Sequence, residues 1–200
     1  MLHGWIVLVS FFAQEAQEAL IRHLKEKYPK DERVLLIEKR FDPKFLEIPN
    51  RAGMAWSALA DKFGAVFLPC VSGNHGRDTR KIWNKDRHHT SFDWLLYRFL
   101  AKHFDGDKRI TFFVPDGPDA YYKVYDHRYL LTHGDSFRGG DGVIGVMGPI
   151  IRGDHKKRSR NAQIGQEYDT MLLGHFHQYV HHGRFIINGS LKGMDEYAWS

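Results

Sequence analysis

The sequence is short of the features that mark several large classes of protein. Cys70 is the only cysteine among 200 residues, which excludes an internal disulfide framework and fits a reducing, cytoplasmic setting. No apolar run is long enough to cross a bilayer as a helix, so we expect no contact with a membrane. Low-complexity tracts and internal repeats are also missing. Because 42% of the residues are hydrophobic and only 26% are charged, we expect a folded chain.

One apolar stretch, residues 5–13, has the length of a signal-peptide core. However, no Lys or Arg precedes it in residues 1–4, and signal peptides carry positive charge there. We therefore interpret this stretch as a buried strand or as the start of a helix.

Positive charge and histidine are present in quantity. The formal net charge is +5 and the sequence pI is about 9.2, which favours polyanionic partners without requiring them. The 13 histidines are informative only through their positions, since imidazole is a common metal ligand but also an ordinary polar side chain.

Hydrophobic periodicity predicts one α/β domain over residues 1–200, a layered sandwich in which central mixed β-sheets are flanked by helices. Residues 41–52, which include Pro43, Pro49 and Asn50, are predicted to form an irregular connection. Residues 139–153 are glycine-rich, residues 151–160 are strongly basic, and a tight Asp126-His127 turn is predicted between two strands. The predicted helices are residues 13–28, 54–63 and 91–104, and the predicted strands are residues 33–38, 65–71, 110–114, 121–125, 128–132, 170–173 and 184–188.

Three of these strands end in a turn that contains histidine. The turns are Gly73-Asn74-His75-Gly76-Arg77, Thr132-His133-Gly134-Asp135 and Gly174-His175-Phe176-His177. An asparagine oxygen can bind a divalent metal, and a neighbouring histidine can donate a proton to a leaving oxygen. Because strand ends meet at one edge of an α/β sheet, we expect the three turns to converge. Taken one at a time, each turn also fits a purely structural role.

Alternate residues of an extended segment point the same way. On that ground we expect His175 and His177 to face one site, with Phe176 packed on the opposite side.

The order of the three turns resembles the last three motifs of the calcineurin-like metallophosphoesterases, and of their phage and prophage members in particular. The resemblance covers residues 66–200, whereas residues 1–65 match poorly. It implies a hydrolase with a binuclear centre of Mn, Fe or Zn ions that activates water against a phosphate ester. Carried over residue by residue, it makes Asn74, His133 and His175 ligands of one metal and His177 a ligand of the other. His75 would then be the catalytic proton donor, or a contact to the phosphate.

The sequence departs from this family in two ways. The family's first motifs, an Asp-x-His and a Gly-Asp, are missing before residue 66. We therefore expect an N-terminally incomplete domain that is weakly active or inactive alone, unless a complementing N-terminal segment or a homo-oligomer completes it. Arg77 stands close behind His75, where many members have a carboxylate, and either binds the substrate phosphate or is an exposed turn residue.

The basic loop at residues 152–160, together with Trp83 and several tyrosines, favours a nucleic acid as the substrate, and hence a phosphodiesterase or nuclease. A solvated basic loop would give the same pattern. The alternative function is that of a non-catalytic nucleic-acid-binding or structural protein that retains the fold without the full metal centre.

Overall fold

The computed structural model describes residues 5–6, 48–79, 86, 88–139 and 145–189, and only the backbone of residues 5–6 and 48–55. The chain divides into two compact units, Met1–Asp116 and Gly117–Ser200. Compact units of this kind can be parts of one domain, so the predicted single domain over residues 1–200 stays a prediction. The predicted helix at 13–28 and the predicted strand at 33–38 lie outside the described residues.

The first unit contains a parallel three-stranded sheet in the order β1-β2-β3. Val66 pairs with Ile110 and Pro69 with Phe113, so the carboxyl ends of β2 and β3 coincide. Its described elements are β1 (Trp5–Ile6), α1 (Ile48–Phe63), β2 (Val66–Pro69), α2 (Phe92–His103) and β3 (Ile110–Phe113).

Aromatic side chains dominate the core of this unit. Trp56 on α1 is 1% exposed and makes edge-to-face contacts with Phe104 and Phe112, at ring-centroid distances of 6.0 and 5.3 Å. Such contacts add to the free energy gained from burying the rings. Leu68 on β2 and Tyr97 on α2 complete the packing, so both helices are fixed against the sheet.

The second unit contains a mixed five-stranded sheet in the order β4-β5-β6-β8-β7. β5, β6 and β8 are parallel neighbours, and β4 and β7 are the antiparallel outer strands. Its described elements are β4 (Asp119–Val124), β5 (His127–Thr132), α3 (Met147–Gln163), β6 (Thr170–Leu173), β7 (Val180–His182) and β8 (Phe185–Ile187).

The core of the second unit lies between this sheet and α3. Ile150 on α3 is fully buried with Leu130 and Met171, which lie on the adjacent strands β5 and β6. Phe185 and Ile187 on β8 extend the same cluster. Burial of this cluster is the main stabilising term for the strands that carry the second and third histidine turns.

The predicted α/β fold with mixed sheet and flanking helices is confirmed. The strand predicted at 170–173 coincides with β6, and the helix predicted at 91–104 agrees with α2 to within one residue at each end. In the described part of the chain, none of the helices combines the length and the apolar character that crossing a bilayer requires.

Several local predictions differ from the structure. The irregular connection predicted at 41–52 overlaps α1, which begins at Ile48. Pro49 lies in the first turn of α1, where proline is well tolerated because no N–H is needed there. The β4–β5 turn is Tyr125-Asp126, one residue earlier than predicted, with Tyr125 at φ 52°. The short strand β7 was not predicted.

The prediction of a basic loop at residues 152–160 is also wrong, because this segment belongs to the helix α3. Glycines nearby suggested a loop, yet lysine and arginine are good helix formers. Gly153 lies within α3 where a Cβ would overlap the ring of Phe137, so this glycine serves close packing and not chain reversal. The ion pair between Arg158 Nε and Asp154 Oδ2, at 2.9 Å and spaced i,i+4, further supports the helix.

Candidate active site

Two of the predicted ligands, His133 and His175, lie side by side in the second unit. β5 and β6 are parallel, with Thr132 paired to Leu173, so both strands end at the same edge of the sheet. His133 and His175 follow these ends, and their ring centroids are 5.1 Å apart at an interplanar angle of 67°. His133 is buried and His175 half-buried. The predicted convergence of these two turns is therefore present.

Gly134 makes the close approach of the two turns possible. Its φ is +112°, and a Cβ here would lie 3.3 Å from Gly174 O and 3.4 Å from the Cβ of His175. Gly174 N–H donates to His133 O at 3.1 Å, which joins the turns through the backbone. Any other residue at position 134 would be strained and would press on the segment that holds His175.

The backbone around His175 and His177 is not extended, contrary to expectation. Both residues are left-handed, with φ of 70° and 57°, and Phe176 N–H donates to Gly174 O at 2.8 Å. The alternation rule for strands therefore does not apply to this segment. A shared site for His175 and His177 stays a prediction, and strand alternation does not support it.

The first unit carries Asn74, His75 and Arg77 on the turn formed by residues 73–77, called here the Asn74 turn. It follows the carboxyl end of β2, as predicted. Asn74 is half-exposed and His75 is exposed to solvent. Both side chains therefore lie where a soluble phosphate ester can reach them.

A residue that sequence reasoning missed lies beneath this turn. Asp93, the second residue of α2, is 1% exposed, and its Oδ2 accepts a hydrogen bond from Gly73 N–H at 2.8 Å. Ser91 caps the same helix, since its Oγ accepts from Asp93 N–H at 3.2 Å. An acidic residue in the first turn of a helix is common for electrostatic reasons. This pattern concealed the contact with the Asn74 turn.

The carboxylate of Asp93 also affects a buried tyrosine. Burial is the main cause that raises the pKa of Tyr97 well above its ordinary value, and the negative charge of Asp93 raises it further. The Tyr97 hydroxyl therefore stays protonated throughout the physiological range.

Arg77 braces the Asn74 turn. Its Nε donates to Thr79 O at 3.1 Å, and its Nη1 donates to the carbonyl oxygen of Asn74. These bonds engage two of the three guanidinium nitrogens with the local backbone. Phosphate binding by Arg77 stays a prediction, and any such role would have to coexist with these bonds.

The donor set fits a divalent metal in part. Two imidazoles at neighbouring strand ends are suitable ligands for Mn, Fe or Zn. Among the residues that the structure describes, no group of three or more His, Cys, Asp or Glu side chains could hold a metal ion. His133 and His175 therefore bring two imidazoles together, and the roles of His133, His175, Asn74 and His177 as metal ligands stay predictions.

The basic helix α3 uses part of its charge within the fold. Lys157 Nζ lies 2.5 Å from Asp119 Oδ2, and both side chains are largely buried. Arg158 pairs with Asp154 and also donates to the carbonyl oxygens of Tyr168 and Asp169. The exposed basic residues of the helix are Arg152, His155, Lys156 and Arg160.

No family model and no curated protein matches this sequence. A solved structure of a conserved uncharacterised protein from Streptococcus pneumoniae TIGR4, described as a predicted phosphoesterase, aligns with 93% of this chain and 72% of its own at 13% identity. The TM-score of that alignment is 0.32, which is too low to establish a shared fold. Membership of the metallophosphoesterase family therefore stays a prediction that depends on the residues of this chain.

Proposed function

We propose that this protein is a metal-dependent phosphoesterase whose metal centre includes His133 and His175. The observation that carries the proposal is the pairing of these two imidazoles at the carboxyl edge of β5 and β6. Open α/β sheets bind their ligands at such an edge. The two histidines come from turns 42 residues apart in sequence, counted from 133 to 175, so a purely local structural motif does not account for their pairing.

Each residue has a stated role in the proposal. His133, His175 and Asn74 would hold one divalent metal, and His177 would contribute to a second. When bound, such metals polarise the phosphoryl oxygens and lower the pKa of a coordinated water. His75 would donate a proton to the leaving oxygen, a role for which its exposure to solvent is suitable. Arg77 would hold the Asn74 turn and contact the phosphate.

The decisive experiment measures Mn²⁺ binding and hydrolysis of bis-p-nitrophenyl phosphate in parallel. We expect His133→Ala and His175→Ala each to lower Mn²⁺-dependent turnover by on the order of 100-fold or more, because loss of a direct ligand should exceed the effect of losing its supporting contacts. His181→Gln is the matched control, since His181 is an exposed histidine on β7. Equal turnover in all three variants would refute the proposed roles. Absence of both turnover and Mn²⁺ binding in the parent chain would favour the non-catalytic alternative.

We further propose a nucleic acid phosphodiester as the substrate. The support for this is the exposed basic surface of α3, in a chain of net charge +5. Fluorescence titrations against single- and double-stranded DNA at two salt concentrations test the idea. We expect binding that weakens steeply with salt and a further loss in Lys156→Ala. Lys157 is not used for this test because it is paired with Asp119. Binding without salt dependence would contradict a phosphate-backbone mode.

A further inference from the structure

We infer that Asp93 is the positioning residue of the Asn74 turn and sets the geometry of Asn74 and His75. The inference rests on the proposed function, because those two residues are its predicted metal ligand and proton donor. The described contacts of Asp93 with the turn are made at Gly73 and Gly76. It acts through the backbone of the turn.

The carboxylate of Asp93 contacts both sides of the Asn74-His75 pair. On one side, Oδ2 accepts the Gly73 N–H at 2.8 Å. On the other, Gly76 packs so closely that a Cβ there would overlap the whole carboxylate group. The side chain of Asp93 therefore fixes the positions of both glycines that flank Asn74 and His75. This accounts for a glycine at position 76, where the φ of the residue is not in the left-handed region.

The burial of Asp93 distinguishes it from an ordinary helix-capping residue. An acidic residue that only complements the helix dipole is effective on the surface, where it remains hydrated. Asp93 is 1% exposed, and removing a carboxylate from water is unfavourable unless hydrogen bonds and favourable dipoles compensate for it. The Gly73 N–H and the first turn of α2 provide such compensation. A capping role alone does not explain why this carboxylate is buried under an exposed turn, whereas its hydrogen bond with Gly73 does.

Further backbone contacts join residues 76–78 to residues 90–92, at the start of α2, and hold the second half of the turn. Phe92 N–H donates to Gly76 O at 2.7 Å, and Asp78 N–H donates to Thr90 O at 3.0 Å. Arg77 and Ser91 form an isolated antiparallel bridge. These backbone bonds begin at Gly76. Asp93 extends the attachment to Gly73, so that Asn74 and His75 are fixed from both ends.

The test compares Asp93→Ala with Asp93→Asn, which retains an oxygen acceptor for Gly73. We expect Asp93→Ala to shift the Gly73 amide resonance and to lower the kcat for bis-p-nitrophenyl phosphate with Mn²⁺ by about 10- to 100-fold, with little change in KM. Asp93→Asn should recover much of both signals. Asp154→Asn is the matched control, because Asp154 is a similarly buried carboxylate (4% exposed) of the second unit. It should change neither the Gly73 resonance nor the kcat of the folded protein.

A second comparison uses the steric contact with Gly76. Gly76→Ala should lower kcat about 10-fold in the parent chain but less than about twofold in the Asp93→Ala background, where the space for the new Cβ is open. Additive effects would overturn the inference, as would an Asp93→Ala variant with a moved Gly73 resonance and parental kcat. If the parent chain shows no hydrolysis, the proposed function fails. In that case the Gly73 resonance still decides whether Asp93 positions the turn. The double-mutant cycle of Asp93→Ala and Gly76→Ala, measured on the amide shifts of residues 73–77, decides it independently of activity.

Discussion

The two regions that carry the candidate site residues are held in different ways. In the second unit, His133 and His175 are placed by strand register, because Thr132 pairs with Leu173 and the backbone joins the turns directly. In the first unit, the Asn74 turn leaves its strand and is held from below by the side chain of Asp93. A sheet positions side chains through repetitive backbone bonds, whereas an isolated turn depends on a few specific side chains. Substitutions should therefore affect the His133–His175 pair of the second unit through packing. They should affect the Asn74 turn of the first unit through single contacts.

The largest effect should come from the core beneath the histidine pair. Leu130 on β5 is fully buried between the sheet and α3, so Leu130→Ala removes packing and leaves a cavity. We expect a loss of about 2–5 kcal/mol in the free energy of unfolding, measured by chemical denaturation. Ile164→Ala, at a position that is 67% exposed, is the control and should change stability little. Similar stabilities for the two variants would show that β5 is not held by this cluster.

A smaller effect is expected where the two histidine turns meet. Gly134→Ala places a Cβ at a φ of +112° and within 3.4 Å of three atoms of residues 174–176. We expect a loss of about 1–3 kcal/mol, because the backbone conformation is strained for any residue with a side chain. Gly183→Ala is the matched control in the same unit, since nothing lies within 4 Å of its Cβ position. If the two alanine variants were equally stable, register alone would not explain how His133 and His175 are brought together.

The helix cap in the first unit should have a more modest influence. Ser91→Ala removes the oxygen that accepts the Asp93 N–H and should lower the free energy of unfolding by about 1 kcal/mol. Ser159→Ala, at an exposed position within α3, should be neutral, because alanine is the better helix former. The amide resonances of residues 73–77 report on the attachment of the Asn74 turn to α2. These resonances should move in Ser91→Ala, because Ser91 holds Asp93 and Asp93 holds the turn. They should stay unchanged in Ser159→Ala.

The smallest effect concerns the opposite ends of β5 and β6. Hydrogen bonds from Arg128 lower the pKa of Asp169 below its ordinary value of 3.8. A carboxyl group with a lowered folded-state pKa stabilises the fold above its unfolded-state pKa, and this contribution disappears as the pH falls through the folded-state pKa. The stability difference between the parent chain and Asp169→Asn should therefore be constant above about pH 5 and shrink at lower pH. Since the pair is partly exposed, added salt should also reduce it. Asp126→Asn, which removes a carboxylate from the exposed β4–β5 turn, is the control for the change of net charge.

The histidine pair could be predicted because it depends on local patterns. Apolar runs before His133 and His175 indicated two strands, and parallel strands bring their carboxyl ends to one edge. The geometry within the third turn could not be predicted in the same way. His175 and His177 are in the left-handed region, which non-glycine residues rarely adopt, so the strand rule failed there.

The role of charge was the least predictable feature. In sequence, Lys157 and Arg158 belong to one basic cluster with Arg160. In the structure, Lys157 is paired with Asp119, 38 residues away, and Arg158 is bound to carbonyl oxygens around β6. Partners so distant in sequence leave no periodic signal, so the number of basic residues overestimated the charge available to a nucleic acid.

The α/β class, the strands that end in histidine and the absence of a disulfide framework follow from the sequence alone, because each depends on composition or on short-range periodicity. The tertiary structure decided which side chains meet. It placed His133 against His175, buried Asp93 under the Asn74 turn and paired Lys157 with Asp119. These contacts join residues 20 to 42 positions apart, and only the packing of helices on sheets brings such residues within bonding distance.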